Sequence, residues 1–370
     1  MLISVILPVY NVEDYIGECL ESLLNQSIGE ERLEIILVND CSTDNTENVI
    51  KKYEGVFTNF KYIKLLKNEG SPGKPRNIGA ELSKGEFIHF MDPDDILDQF
   101  AYETLLEFIK ENDDFIMGKL ISFNEDGSEF QHITFREYKM NKTYISTTIK
   151  DTPFFAQVKV GVVLKLIRKS FYLKNNIKFE ENMKNGEDKL VDTKLYTLAD
   201  SFSYIPYTIY RYRNRNTGEN KSLTNQESLN AMKNDIKAYH TSKCYYSSDT
   251  LDFFRVNVLR TLFWKILDPE FENLANIEKI GIMKEIKKII HGYNPMIFDM
   301  YLKHEAPIIK LISDEEFQLA ISYAALLQAR RKYFYKGLEL SKKYNEISKF
   351  KKSKSYKLFK VFSVFRKLKK

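Results

Sequence analysis

The 370-residue sequence predicts an α/β fold: a mainly parallel sheet with helices on both faces, followed by a helical C-terminal region. Three observations carry this prediction. Short β-branched apolar runs alternate with stretches of helical periodicity through the first hundred residues. Each run stops at a proline or at polar residues. From Leu229 to about Lys342 the apolar residues recur only at helical spacing.

Taken in order, Ile3 to Leu7 is a strand stopped by Pro8, and Val12, Ile16, Leu20, Leu23 and Leu24 then recur as one helical face. Leu33 to Val38 is a second strand. Asp44-x-x-Glu47 reads as a capping box opening a helix that Gly55 closes. Tyr62 to Leu66 is a third strand, Pro75 occupies a first helical position, and Phe87 to Met91 is a fourth strand. Right-handed crossovers between such units give a parallel sheet. The middle, from about Phe115 to Thr224, mixes loops with strand-like stretches at Lys159 to Ile167 and Phe202 to Tyr212. The organisation expected is a catalytic unit over 1–225, a helical region over 226–340 and a basic amphipathic tail over 341–370.

Composition narrows the function classes. With 43% hydrophobic and 14% aromatic residues the chain is neither disordered nor collagenous, and it carries ample mass for a packed core. The net charge of +5 averages a tail at +11 and a body at −6, so the body is a poor nucleic-acid binder. Cys19, Cys41 and Cys244 show neither a disulfide framework nor zinc spacing, which suggests a reducing compartment. No apolar stretch approaches the roughly 18 residues of a spanning helix. A cytoplasmic protein is expected, with any membrane contact made from its surface.

In parallel α/β sheets ligands bind at the carboxyl ends of the strands. Here those ends read Pro8-Val9-Tyr10-Asn11, Asn39-Asp40, Lys67-Asn68 followed by Gly70 to Arg76, and Asp92-Pro93-Asp94-Asp95. A purely structural sheet also places turn residues there. Two carboxylates one residue apart, Asp92 and Asp94, suit a hard divalent cation, Mn²⁺ or Mg²⁺, that shares phosphate oxygens. An acidic turn before a helix starting near Ile96 is the plain alternative. Gly70, Gly73 and Gly79 match neither familiar glycine-rich phosphate cradle, which disfavours a dinucleotide-binding or P-loop domain.

Together, Ser4-Val5-Ile6-Leu7-Pro8-Val9-Tyr10-Asn11, Glu34 to Asp44, Pro75-Arg76-Asn77-Ile78-Gly79 and Phe90-Met91-Asp92-Pro93-Asp94-Asp95 resemble, in order and spacing, family 2 glycosyltransferases of the GT-A fold. Gly186-Glu187-Asp188, and Tyr210-Arg211-Tyr212-Arg213 through Ser222-Leu223-Thr224, are similar to the bacterial subgroup acting on wall teichoic acid or related surface polymers. The resemblance implies a UDP-sugar donor. Pro8, Tyr10, Asp40, Asn68 and Arg76 would contact its uridine part, with Asp92 near the ribose or metal and Asp94 the principal metal ligand. Asp188, beside Glu187, would be the general base, and Arg211, Arg213 or Arg215 would meet the diphosphate. Asn39-Asp40-Cys41 departs from the family's common Asp-Asp-Gly, as does Ser71-Pro72-Gly73-Lys74 from its usual pattern.

A base opposite the departing diphosphate implies inversion of the sugar's anomeric centre. The glycopolymer or a lipid-linked oligosaccharide would be the acceptor; a non-catalytic nucleotide-sugar-binding assembly protein is the reading from another class. Leu358, Val361, Phe362, Phe365 and Leu368 share one helical face in the tail, with Lys360, Lys367 and Lys370 opposite. That pattern suits an anionic bilayer surface, and also a polyanionic acceptor or a solvated terminus. The family resemblance permits a homo-oligomer.

Overall fold

A computed structural model describes residues 2–136, 138–158, 161–215 and 228–352. The strands are β1 (Ile3–Val9), β2 (Leu33–Asn39), β3 (Phe60–Lys64), β4 (Phe87–Phe90), β5 (Ile96–Leu97), β6 (Phe115–Asn124), β7 (Glu129–Phe130), β8 (Tyr144–Thr147), β9 (Lys165–Arg168) and β10 (Phe202–Asn214). They form one sheet in the order β3-β2-β1-β4-β9-β6-β10-β5, with β7 beside β6 and β8 beside β10. Pairs β1–β2, β1–β4, β2–β3 and β6–β10 are parallel. Strand β9 runs antiparallel to both β4 and β6, so the two parallel halves point the same way across it. All seven residues of β1 and of β2 are buried, the pattern of central strands covered on both faces.

Helices α1 (Ile16–Leu24), α2 (Thr46–Lys51), α3 (Gly73–Leu82), α4 (Ala101–Phe108), α5 (Lys169–Lys174) and α6 (Glu187–Leu198) intersperse the strands. Gly79 lets α3 lie close on β1, because a Cβ there would meet Ile6 Cγ2 at 2.3 Å. The helical region holds α7 (Ser228–Ser242), α8 (Ser248–Ile266), α9 (Pro269–Glu272), α10 (Asn276–Ile290), α11 (Pro295–Tyr301), α12 (Ala306–Ser313) and α13 (Phe317–Lys352). It joins α6 through a buried ion pair, Lys189 Nζ to Asp235 Oδ1 at 2.7 Å. Helix α13 runs unbroken through residue 341, and the amphipathic face expected from Leu358 onward lies outside the described residues. None of the described helices is long and apolar enough to cross a membrane.

The mainly parallel sheet and the helical C-terminal region are as the sequence predicts. Several local expectations are corrected. Strand β6 leaves no alternating signal in the sequence, because both of its faces are covered. Only Lys165–Arg168 of the expected stretch up to Ile167 is strand; Val162–Leu164 is a 3₁₀ turn, and 159–160 lie outside the described residues. After Asp95 comes β5, and the next helix waits until Ala101, because Ile96 and Leu97 pair with β10. Helix α3 starts two residues before Pro75. No capping box forms at Asp44: its carboxylate accepts from the backbone N–H of Glu13 and Thr46, tying the β1 and β2 loops together. Pro206 has no N–H for the ladder, and β10 slips register against β6 around it.

Candidate active site

The loops after β1, β2 and β4 meet at one rim. Pro8 is buried and Tyr10 beyond it is 46% exposed, so the ring stands free at the edge. Asn11, at a φ of 47°, pairs its side-chain amide with the backbone and hydroxyl of Thr43 at 2.8 and 3.2 Å. Asp40 is buried and accepts from the N–H of Glu69 at 2.8 Å, and burial pushes its carboxyl above the usual range. Cys41 adopts a φ of 62°, the left-handed conformation that glycine takes without strain. The sequence departure from Asp-Asp-Gly therefore sits where glycine is sterically favoured. Asn68 is exposed on the loop that Asp40 holds.

Arg76 is the hub of the site. Its side chain is 6% exposed and donates from Nη1 to Glu187 Oε1 and from Nη2 to Asp92 Oδ1, both at 2.7 Å. The guanidinium lies 5.1 Å over the Phe179 ring. Flanking carboxylates and burial oppose one another here, and the carboxylates win, holding Arg76 charged. Glu187 opens α6 behind Gly186, whose φ of 80° allows the sharp entry. Burial pushes the Glu187 carboxyl up to about 7, against the pull of Arg76 and with the push of Asp188. Asp188, at the next position, is half-buried, and its carboxylate accepts from the N–H of Lys189 at 2.9 Å.

The acidic corner is built on β10 as much as on β4. The N–H of Asp92 donates to the Tyr210 hydroxyl at 3.1 Å. The Asp95 carboxylate accepts from the N–H of Arg213 at 2.6 Å, while Arg213 Nε donates to the Asp94 carbonyl at 2.7 Å. Arg215 Nε stands 2.8 Å from Asp94 Oδ2 as an ion pair. The Arg213 guanidinium also pairs with Glu18 and shares the Tyr15 ring with Arg215. Burial and the neighbouring carboxylates push Asp94 and Asp95 upward.

Of the residues singled out in the sequence, Arg76, Asp92, Glu187 and Asp188 come together with Asp94, Arg213 and Arg215 on one rim. Arg211 is drawn aside, 43% exposed and 2.7 Å from Glu129 on β7. Asp95 and Tyr210 belong to quoted motifs but carry no assigned role there, and Glu18, Tyr15 and Phe179 belong to none. Strand alternation in β10 offered the one available clue, since Tyr210 and Tyr212 lie either side of Arg211; Glu18 and Phe179 left no local signal.

The donor set fits a hard divalent cation. Asp92 and Asp94 supply carboxylate oxygens, and mutual repulsion among three acids on four positions is what such an ion relieves. Arg76 and Arg215 neutralise them in this structure. Among the described residues no three His, Cys, Asp or Glu side chains stand ready to chelate a metal together. An ion held by Asp92 and Asp94 would therefore complete its shell with oxygens from elsewhere.

Residues 4–169 match the family model described as Glycosyl transferase family 2. The chain is 29% identical to the minor teichoic acid biosynthesis protein GgaB of Bacillus subtilis, over 86% of this chain and 39% of that protein. It is 34% identical to the poly(ribitol-phosphate) beta-N-acetylglucosaminyltransferase TarP of Staphylococcus aureus, over 67% of this chain and 75% of that protein. The crystal structure of S. aureus TarS residues 1–349 in complex with UDP-GlcNAc superposes with a TM-score of 0.69 at 22% identity, covering 89% of this chain and 92% of that one. That last likeness shows a shared fold. The chain thus spans about two fifths of GgaB and three quarters of TarP.

Proposed function

Because the chain belongs to glycosyl transferase family 2, we propose that it moves a hexose or N-acetylhexosamine from a UDP-sugar to a hydroxyl of a bacterial surface glycopolymer such as teichoic acid, with inversion. The observation that carries the proposal is the Glu187–Arg76–Asp92 bridge, which ties the acidic corner after β4 to the start of α6. Asp188 follows Glu187 directly and is half-buried, and in this reading it faces the acceptor while Asp92 and Asp94 serve the diphosphate side.

In this reading Pro8, Tyr10, Asp40 and Asn68 line the nucleoside end. Tyr10 offers an exposed ring for stacking against a base, and Asp40 keeps the loop carrying Asn68 in place by its bond to Glu69. Asp94 and Asp92 would hold a Mn²⁺ or Mg²⁺ ion. Such an ion, when bound, supplies Lewis-acid stabilisation of negative charge on the departing diphosphate. Arg215 and Arg213, within reach of the same corner, add positive charge there, and Arg211 lies farther out by Glu129.

An acceptor hydroxyl has a pKa far above 7, so a carboxylate must take its proton as the new bond forms. Asp188 fills that role. Its neighbour Glu187 is committed to Arg76 and serves to hold the first turn of α6 in register with Asp92. Attack from the Asp188 side with departure on the diphosphate side is an in-line displacement, giving a β-linked product from an α-linked donor.

The test is UDP release by the purified chain with a panel of UDP-sugars and poly(ribitol phosphate) or poly(glycerol phosphate), in Mn²⁺ and after EDTA, with product linkage read by NMR. Acceptor-dependent release, lost in EDTA and yielding β-linked sugar, is the expected result. Absence of release with every donor and acceptor, while UDP still binds, would establish the non-catalytic reading instead.

A further inference from the structure

The base stands in the first turn of α6, and the helical region reaches that turn. Asn185, just ahead of it, donates from Nδ2 to the Ala231 carbonyl at 3.3 Å and accepts from Asn234 Nδ2 at 3.0 Å, both on α7. Gly186 packs close to the same helix, since a Cβ there would lie 3.4 Å from Asp235 Oδ1. Lys189 is buried, and its ammonium donates to Asp235 Oδ1 at 2.7 Å. Asp235 is fully buried, and its Oδ2 has no hydrogen-bond partner among the described residues.

Three ion pairs surround Asp188. Glu187, its neighbour on α6, pairs with Arg76 of α3 at 2.7 Å. Asp192, one turn further along α6, pairs with Lys165 of β9 at 2.9 Å. Lys189, on the other side of Asp188, pairs with Asp235 of α7. Asp188 acts electrostatically on a member of each pair. Its own carboxylate accepts from the N–H of Lys189, and no cation pairs with it among the described residues.

A carboxylate beside an uncompensated cation binds a proton more weakly, and a general base works by binding one. The catalytic unit supplies both members of the first two pairs. In the third, the cation belongs to α6 and its counter-ion to the helical region. Burial opposes the charge on Lys189, and Asp235, ahead of Asp188, outweighs burial and keeps the ammonium charged. Without the charge of Asp235, Asp188 would be left to face that ammonium, because Glu187 is engaged by Arg76.

We propose that Asp235, from the helical region, is a positioning residue for the transfer: it takes the Lys189 ammonium and so leaves the Asp188 carboxylate free to receive the acceptor's proton. This rests on Asp188 being the base. The transfer site then needs α7 for its chemistry as well as for its packing.

The test follows UDP release and, independently, the Lys189 amide of the isotope-labelled full chain by NMR, since that N–H is bonded to Asp188 and reports its titration. In Asp235→Asn, kcat is expected to fall about 10-fold or more, part of the roughly 10²–10⁴ that a general base supplies, with KM for the UDP-sugar unchanged. The acid limb of the kcat profile and the midpoint of the amide titration should both move to lower pH. Lys189→Met/Asp235→Leu removes both charges and leaves the Asn185 contacts in place, so kcat and midpoint should return to near wild type. A wild-type kcat and midpoint in Asp235→Asn, or a double variant as slow as the single one, would overturn the proposal. Should Asp235→Asn fail to fold by far-UV circular dichroism, the double variant decides, and slow turnover in it overturns the proposal. If the wild-type chain releases no UDP with any donor and acceptor, the transfer reading fails by itself, whereas a midpoint unmoved by Asp235→Asn defeats the role of Asp235.

Discussion

Replacing Arg76 by methionine keeps most of its volume and removes its charge. Two carboxylates then lose their partner, but they are not equally placed: the Glu187 side chain is 7% exposed and that of Asp92 29%. Water partly compensates Asp92, so most of the penalty falls on Glu187. Removing one partner of a buried ion pair costs about 3–5 kcal/mol. Glu187 can escape by binding a proton. With Arg76 present its folded pKa already stands at about 7, above the ordinary 4.5, and without Arg76 it moves higher. A carboxyl raised in the folded state takes up protons on folding, so its cost is small near pH 4.5 and grows as pH climbs toward the folded pKa. The loss in Arg76→Met should therefore be about 1 kcal/mol at pH 5.5 and about 3 kcal/mol or more at pH 8.5. Urea titrations at the two pH values measure it, and Glu187→Gln added to Arg76→Met should recover most of the alkaline loss. Equal losses at both pH values, or no recovery in the double variant, would show that Arg76 acts through packing on Phe179 and not through charge.

Three further outcomes follow from the same geometry. Asp188→Asn should lower turnover by about 10²–10⁴-fold while UDP-sugar affinity stays near wild type; isothermal titration beside UDP release separates the two, and retained turnover would remove the base assignment. Gly161→Ala should destabilise by about 3 kcal/mol, because a Cβ there would stand 1.1 Å from Asp192 Oδ2 and displace the buried Lys165–Asp192 pair; an unchanged urea midpoint would contradict the packing described. At Cys41, glycine should be tolerated or slightly stabilising and valine should cost about 1–2 kcal/mol, since only the latter worsens the left-handed backbone; equal stabilities in thermal unfolding would refute the strain.

Much of the rim is legible in the sequence. Apolar runs ending in Pro8, Asp40 and Asp92 mark strand ends, because a strand needs β-branched residues inside and the polar residues must then gather where it stops. The acidic pair Glu187-Asp188 ahead of Leu190, Val191, Leu195 and Leu198 also suits a helix start, which α6 takes. Partners separated by long stretches of chain are not legible. Arg76 could be placed at a helix start, but its burial between Asp92 and Glu187, 16 and 111 positions away, depends on how α3 and α6 pack against the sheet. Arg211 and Arg213 stand two apart on one strand and look equivalent in sequence. Their surroundings separate them: β7 offers Glu129 to the first, and α1 offers Glu18 to the second.

Local periodicity and turn chemistry, acting over a few residues, determined that the chain alternates strand and helix and that its strand ends carry acids and aromatics. Tertiary packing decided which charges neutralise which, and that Glu187 is buried and Asp188 half open. Those outcomes depend on desolvation and on pair distances across the fold, and neither is encoded in the spacing of residues along a chain.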